Sequence, residues 1–212
     1  KIDPVGYYFS PRIIAAAFTV PMVVILAELV GIVGGKGKAG AVEVARVIAT
    51  QVAAFNCYTD VKMAFIYDKT DNEIEDWEYL KWLPHTWSED KKTRYIAKNK
   101  AEAGDVLYEI TKSLRIRMEE KEAHLGKKKQ NKQHYILFIA NAELLEGELI
   151  TKYIFDAKEN YGLSTVFLAD SYDNLPNACT YIIQNDNEFS GMFEIADNVE
   201  EKIPVKFDVI DN

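Results

Sequence analysis

The sequence predicts an α/β fold, in which a mostly parallel β-sheet carries helices on both faces. Short apolar segments without charges, such as YILFIA (residues 135–140) and TVFLA (residues 165–169), are typical of strands that are buried on both sides. These segments alternate with stretches whose apolar residues recur at helical spacing. Strands that alternate with helices in this way form a parallel sheet between two helical layers.

The elements follow one another along the chain in this order. Strands are predicted at 29–33, 61–67, 93 or 94–97, 135–140, 165–169 and 181–184, and helices at 41–55, 71–82, 99–126 and 147–159. Asn99 occupies an N-cap position with Glu102 as its capping-box partner, and the lysine-rich segment 126–133 is predicted to be a loop. Alternating segments at 191–195 and 205–210 predict an antiparallel edge or hairpin.

The first 28 residues are predicted to be a separate apolar N-terminal segment. The uncharged run 13–27 is shorter than the roughly 20 residues that a membrane-spanning helix needs. A short helix near 11–18, a break at Pro21 and a buried strand at 22–26 are favoured over a membrane span.

Composition narrows the function classes. The net charge of −8 argues against nucleic-acid binding by the whole surface, so no nucleic acid is expected as a partner. Cys57 and Cys179 are predicted to be reduced, buried thiols. The three histidines are far apart in sequence and do not have the spacing of a metal site.

The stretch GIVGGKGKAG (residues 31–40) lies between a predicted strand and a predicted helix, which is the setting of a phosphate-binding loop. A functional loop has the pattern GxxxxGK followed by Ser or Thr, whose hydroxyl binds Mg²⁺. Here Ala39 follows Gly37 and Lys38, and Ile32 stands where the first glycine is required. The loop is therefore predicted to be a vestigial nucleotide-binding site, formed by Gly34, Gly35, Lys36, Gly37 and Lys38.

The acidic residues that such a site requires are also missing. P-loop NTPases carry an Asp at the end of a neighbouring strand to hold Mg²⁺, but the strand YILFIA ends in Ala140 and Asn141, and Glu143 follows too late. No catalytic residue and no metal ligand is therefore predicted. An alternative remains open, in which Lys36 or Lys38 acts with Asp170 in a noncanonical NTPase.

An aromatic segment lies in the middle of the chain and includes Trp77, Tyr79, Trp82 and Trp87. Such residues usually pack a helix onto a sheet, and they are also enriched at protein interfaces. The partner-binding residues predicted here are Trp82, Pro84, His85 and Trp87.

Five segments carry a resemblance to a known family: AAFNCYTDVKMAF (53–65), WEYLKWLPHTW (77–87), RYIAKNKAEA (94–103), LLEGE (144–148) and LSTVFLADSYDNLPNAC (163–179). From about residue 29 to 212 the chain resembles the degenerate ATPase-like domain that precedes the motor domains in EssC/EccC-type ATPases of type VII secretion systems. These proteins are of the FtsK/SpoIIIE class and occur in Gram-positive bacteria.

The resemblance implies a three-layer RecA-like (P-loop NTPase-like) sheet. It also implies a catalytically silent module with a structural, regulatory or assembly role in protein export. Its implied partners are other domains of the same secretion ATPase and membrane components of the system, with an oligomer possible in the full-length protein. The implied location is the cytoplasmic face of the cell membrane. No cofactor is expected, because ATP and magnesium belong to the family's active domains.

Residues 2–35 look like a segment of MlaE-type permeases, the membrane subunits of lipid-transport ABC systems. The segment LVGIVGG (29–35) suits both resemblances. A further alternative is therefore a permease-derived membrane fragment with an attached globular part.

Overall fold

Eight β-strands form one sheet in the computed structural model, which describes residues 29–70, 77, 79–123, 133–155, 160–179, 181–195 and 202–207. The strands are β1 (Leu29–Val33), β2 (Val61–Ile66), β3 (Ile96–Ala97), β4 (His134–Ile139), β5 (Leu163–Ala169), β6 (Tyr181–Asn185), β7 (Ser190–Glu194) and β8 (Ile203–Pro204). Their order in the sheet is β3-β2-β4-β5-β1-β6-β7-β8. All pairs from β3 to β6 are parallel, and only β7 and β8 add antiparallel edges. The prediction of a mostly parallel α/β sheet is confirmed.

Helices cover both faces of the sheet and divide the core into two layers. The helix α1 (Ala39–Phe55) packs on one face together with Trp77 and Leu80. The helices α2 (Lys100–Ala123) and α3 (Thr151–Phe155) pack on the other. The burial of the central strands on both faces explains why their sequences are almost continuously apolar.

The predicted capping box at the start of α2 is present with a small shift. The Asn99 side chain accepts a hydrogen bond from the backbone N–H of Glu102 at 3.0 Å. The Glu102 carboxylate in turn accepts one from the backbone N–H of Lys98 at 2.8 Å. Glu102 therefore bonds one residue ahead of the N-cap, and both side chains still satisfy amides at the helix start.

Two helix predictions are wrong in their described parts. Within the predicted helix 71–82, Trp77 and residues 79–82 adopt 3₁₀ turns, and the other positions lie outside the described residues. Trp77 is 1% exposed and its ring contacts Phe65 and Phe138, with centroids 5.1 and 6.5 Å apart. Core packing of Trp77 and Leu80, rather than a helical stripe, holds the described residues of this segment to the sheet.

The predicted helix 147–159 begins four residues later than expected, at Thr151. Gly147 has a φ of 77°, which an α-helix does not accept. Residues 156–159 lie outside the described part, as do most of the predicted loop 126–133 and the C-terminal end predicted for α2.

The predicted antiparallel edge is confirmed by β7 and β8. The strand β8 lies at Ile203–Pro204, and most of the segment 205–210 is not among the described residues. Cys179 is buried as predicted, but Cys57 is exposed, because it follows the end of α1 in a turn.

The predicted helix near 11–18 and strand 22–26 lie outside the described residues, and the boundary between residues 28 and 29 stays a prediction. Across the ranges described above, no helix combines the length and apolar character needed to cross a bilayer.

Candidate functional site

The glycine loop leaves the carboxyl end of β1, which lies between β5 and β6 at the centre of the sheet. In open α/β sheets, ligands bind at this edge, beyond the carboxyl ends of the strands. The loop then makes a 3₁₀ turn at Lys36–Lys38 and enters α1. The strand, loop and helix therefore have the order that the sequence predicted.

Four glycines of the loop are explained by backbone geometry and close packing. A Cβ atom on Gly34 would lie 2.0 Å from the Ala41 nitrogen, and one on Gly40 would lie 1.8 Å from the carbonyl oxygen of Asn185. Gly35 and Gly37 have φ values of 70° and 75°, in the region that favours glycine. The same residues would be required here whether or not a phosphate ever binds.

Hydrogen bonds within the loop close it into a turn. The Lys38 amide donates to the Gly35 carbonyl at 2.9 Å, and the Gly40 amide donates to the Gly34 carbonyl at 3.2 Å. The Gly34 amide donates to Ala169 at the end of β5 at 3.0 Å. Three amides that a phosphate cradle would offer to a ligand are therefore engaged by the protein.

The side chain of Lys38 points to the end of β4, which is separated from β1 by β5 in the sheet. Its Nζ atom donates to the carbonyl oxygen of Ala140, directly after β4, at 2.9 Å. Lys38 also has a left-handed backbone with φ 63°, which costs a non-glycine residue roughly 1–2 kcal/mol. The lysine of the loop thus meets a backbone carbonyl at the position where a phosphate-binding protein would place its magnesium-binding Asp.

The other predicted residues at this edge have structural partners. The Asn141 side chain accepts a hydrogen bond from the backbone N–H of Asp68 at 2.9 Å and so joins the ends of β2 and β4. Asp170, which follows β5, accepts a hydrogen bond from the Asn174 side chain. That bond, with a smaller contribution from the charge of Lys38, lowers the pKa of Asp170. Glu143 is exposed in a 3₁₀ turn after β4.

A groove of about 1230 Å³ lies at the opposite edge of the sheet, where β2 and β4 begin. Trp82, Pro84 and Trp87 line it, so three of the four predicted partner-binding residues lie on one surface. Trp82 is 78% exposed. Trp87 is held in place by the guanidinium of Arg94, 4.3 Å from its ring centroid.

His85, the fourth predicted partner-binding residue, lies below this surface. It is buried, its Nε2 atom is 2.9 Å from the carbonyl oxygen of Asn56, and its ring meets Tyr58 edge-on at 6.4 Å. His85 therefore connects the aromatic segment to the end of α1 and does not line the groove.

Two positively charged residues also line the groove, and neither was predicted from the sequence to be a site residue. Lys62, the second residue of β2, is 4% exposed, and Arg117 of α2 is half-buried. The signal was a lysine within the otherwise apolar strand VKMAFIY, where a charged side chain is unexpected. The groove is therefore built from aromatic walls and a cationic floor.

His134 begins β4 next to this groove. Its Nε2 atom is 2.9 Å from the Ser164 hydroxyl. Burial, together with the nearby charge of Arg117, lowers the pKa of His134 to about 4. The imidazole is therefore neutral at physiological pH.

One family model matches the chain, that of Permease MlaE, over residues 1–59. The match covers well under half of the chain. Within the described residues it takes in β1, the glycine loop and α1. It agrees with the predicted resemblance of residues 2–35 to MlaE-type permeases.

Curated relatives match most of the chain. The ESX secretion system protein YukB of Bacillus subtilis is 29% identical over 190 residues, which is 89% of this chain and 12% of the relative. The ESX secretion system protein EccC of Geobacillus thermodenitrificans is 27% identical over 180 residues, with 84% and 12% covered. The type VII secretion system protein EssC of Staphylococcus aureus is 24% identical over 162 residues, with 74% and 10% covered. The chain therefore spans a small segment of these much longer proteins.

Among solved structures, the cytoplasmic domain of the type VII secretion ATPase EccC of Thermomonospora curvata matches 67% of this chain and 16% of its own, at 12% identity and a TM-score of 0.46. A second structure holds ATPases 2 and 3 of the same EccC in complex with a signal sequence peptide. It matches 67% and 25% of the two chains at 11% identity and a TM-score of 0.45. By the matches of its sequence, this chain is homologous to a segment of the EssC/EccC-type ATPases of type VII secretion systems.

Proposed function

We propose that this chain is a catalytically silent ATPase-like module of a type VII secretion motor, with a structural, regulatory or assembly role in protein export. The observation that carries the proposal is the hydrogen bond from Lys38 to the Ala140 carbonyl. It fills the position between loop and strand end where an NTPase holds Mg²⁺ and phosphate. The glycine loop Gly34, Gly35, Lys36, Gly37 and Lys38 is, in this proposal, the remnant of a nucleotide site, and the chain itself needs neither ATP nor magnesium.

Two further features support catalytic silence. Ala39 offers a methyl group where a hydroxyl would bind Mg²⁺. Asn141 carries a neutral amide where a carboxylate would bind Mg²⁺, and its oxygen already accepts a hydrogen bond from the backbone N–H of Asp68. Losing either group alone would weaken a site, and this chain lacks both the hydroxyl and the carboxylate.

Titration calorimetry with ATP and Mg²⁺ is expected to show no binding tighter than about 1 mM, which corresponds to about −4 kcal/mol. A phosphate-release assay on the same protein should show no turnover above the buffer rate. Lys38→Ala should leave both results unchanged, and Lys36→Ala, at an exposed position of the same loop, serves as the matched control. Magnesium-dependent turnover that Lys38→Ala abolishes and Lys36→Ala retains would refute the proposal.

The second candidate is the noncanonical NTPase. It is favoured by one observation, that Asp170 lies close enough for the charge of Lys38 to act on its pKa. This candidate alone predicts phosphate release, and the release should then fall in Asp170→Asn. The phosphate-release assay therefore separates the two candidates.

We propose that the aromatic groove with Trp82, Pro84 and Trp87 is the surface by which the module contacts its partners, with His85 supporting it from below. An exposed tryptophan next to a rigid aromatic segment is typical of a binding surface. The proposed partners are other domains of the same secretion ATPase and membrane components of the system. An oligomer in the full-length protein and a location at the cytoplasmic face of the membrane belong to the same proposal.

A third candidate role, a permease-derived membrane fragment, is favoured by the match of residues 1–59 to Permease MlaE. If residues 1–28 anchor the chain to lipid, their deletion should abolish co-flotation with liposomes and leave the circular dichroism spectrum unchanged. Unfolding on deletion would instead make these residues part of the core and exclude this role.

A further inference from the structure

We propose that the aromatic groove binds a peptide segment of a partner protein that carries a carboxylate side chain beside an aromatic one, and that Lys62 receives the carboxylate. This inference rests on the proposed role of the groove in partner contact and adds the chemistry of the partner. It is carried by the contacts of Lys62, by the distribution of charge between floor and rim, and by the shape of the walls.

Lys62 is a buried cation with few partners. Its ammonium group has three donors, yet its one hydrogen bond to the described residues runs to the Pro84 carbonyl at the long distance of 3.4 Å. The ring of Tyr58 lies 5.4 Å from Nζ, and no carboxylate of the described residues forms an ion pair with it. Buried charges are normally paired, because the loss of hydration is otherwise uncompensated. Burial accordingly lowers the pKa of Lys62, and the charge of Glu89 on the rim opposes this only in part. A carboxylate from a ligand would supply the missing partner.

Arg117 is the second cation of the floor of the groove. Arg117 donates to the Tyr161 carbonyl at 2.8 Å and stacks 4.9 Å from the centroid of Tyr135, without a carboxylate partner in the described parts of the chain. Burial lowers its pKa as well. The two less exposed charges of the groove are thus both positive.

The rim has a different charge pattern. Asp60, Glu89, Lys91 and Glu120 are all exposed and carry three negative charges and one positive charge. A polyanion such as a nucleic acid or a nucleoside triphosphate would be repelled by these carboxylates. A segment that is apolar apart from one carboxylate would pair that carboxylate with the cations of the floor. It would carry too little negative charge to be repelled by the rim as a polyanion is.

The walls suit a peptide rather than a small molecule. The groove exceeds the roughly 300–1,000 Å³ of ordinary ligand pockets. Trp82 and Ile116 are 78% and 49% exposed on its sides, and such residues form apolar anchors at protein interfaces. Among the described residues, the lining contains no glycine-rich loop that would cradle phosphate. An aromatic side chain between these walls would bring a neighbouring carboxylate toward the floor.

The test uses two probes that differ in one charge, N-acetyl-Trp-Glu-amide and N-acetyl-Trp-Gln-amide, with the 212-residue chain. Titration at millimolar concentration is followed by two-dimensional NMR of the indole N–H signals of Trp82 and Trp87. We expect both signals to shift and the glutamate probe to bind about tenfold more tightly than the glutamine probe, the effect of one charge-assisted hydrogen bond. Lys62→Met should abolish this preference, whereas the rim variant Lys91→Met should retain it.

The variant also reports on folding. Because Lys62→Met replaces a poorly paired buried charge by an apolar side chain of similar length, its urea midpoint should equal or exceed that of the unmodified chain. A loss of the preference in a stable variant therefore assigns it to the ammonium group.

The other outcomes overturn one or both proposals. Equal binding of the two probes, with both indole signals shifted, overturns the carboxylate specificity and leaves the partner-contact role in place. Indole signals that do not respond to either probe overturn both. Binding of AMP that shifts the same signals more strongly than the glutamate probe overturns the peptide and assigns the groove to nucleotides.

Discussion

Gly40→Ala is expected to lower the free energy of unfolding by about 3 kcal/mol or more, near the upper end of single-residue effects. Its Cβ atom would lie 1.8 Å from the Asn185 carbonyl oxygen and 3.2 Å from that of Gly34. Both contacts are with backbone atoms, so no side chain can rotate away. The first turn of α1 would have to separate from the end of β6, where the Asn185 side chain also donates to the Gly40 carbonyl. Urea unfolding followed by circular dichroism measures the change.

Gly104→Ala provides the matched control, because Gly104 lies within the regular part of α2. Within the part of the chain that the structure describes, a Cβ atom there would meet only the Glu148 carboxylate, at an ordinary 3.6 Å. Alanine should therefore stabilise the domain by about 0.5–1 kcal/mol through helix propensity alone. If Gly40→Ala unfolds at the same urea concentration as the unmodified chain, the loop is not packed as closely against β6 as described here.

Acidification from pH 6.5 to pH 4 is expected to destabilise the protein through His134. Its pKa is about 4 in the folded state, against 6.5 for an unperturbed histidine, because burial and the charge of Arg117 disfavour the imidazolium. The unfolded chain therefore binds a proton that the folded chain does not, and stability falls as the pH decreases through this window. Above pH 6.5 the imidazole is neutral in both the folded and the unfolded chain, so the contribution of His134 to the free energy of unfolding is fully present. The loss approaches about 3 kcal/mol as an upper limit, and it levels off below pH 4.

The measurement is the free energy of urea unfolding at half-unit pH steps, compared between the unmodified chain and His134→Gln. Glutamine does not titrate and retains a hydrogen-bonding group near the Ser164 hydroxyl. The difference between the two proteins should therefore change between pH 6.5 and 4 and stay constant above it. Parallel pH profiles of the two proteins would show that His134 has the same pKa in the folded and unfolded states, contrary to its burial.

Much of the fold was predictable because each central strand carries its own signal. YILFIA and TVFLA are buried on both faces, so their lack of polar residues follows from the two helical layers. Asn99 and Glu102 identified the start of α2 because capping is a local interaction. The segment before Trp82 was wrongly predicted to be a helix, because the contacts of Trp77 with Phe65 and Phe138 are long-range and are not visible in the local sequence.

The candidate sites show the same division between local and long-range information. The missing hydroxyl at Ala39 is visible in the sequence, because the phosphate-loop pattern is contiguous. The bond from Lys38 to the Ala140 carbonyl joins positions 102 residues apart, and only the parallel pairing of the strands brings them together. Lys62 was overlooked for a related reason, since a lysine in a strand does not reveal which carboxylates lie near it until the fold is known.

The strand β4 has the glycine loop near its carboxyl end and the aromatic groove near its amino end. Six residues of strand span about 20 Å, roughly twice the Debye length at physiological ionic strength. Surface charges at one end are therefore largely screened from the other. Natural variation should be able to alter the acidity of the rim without disturbing the hydrogen bond from Lys38 to the Ala140 carbonyl. Any signal between the two ends would have to travel as movement of the strands.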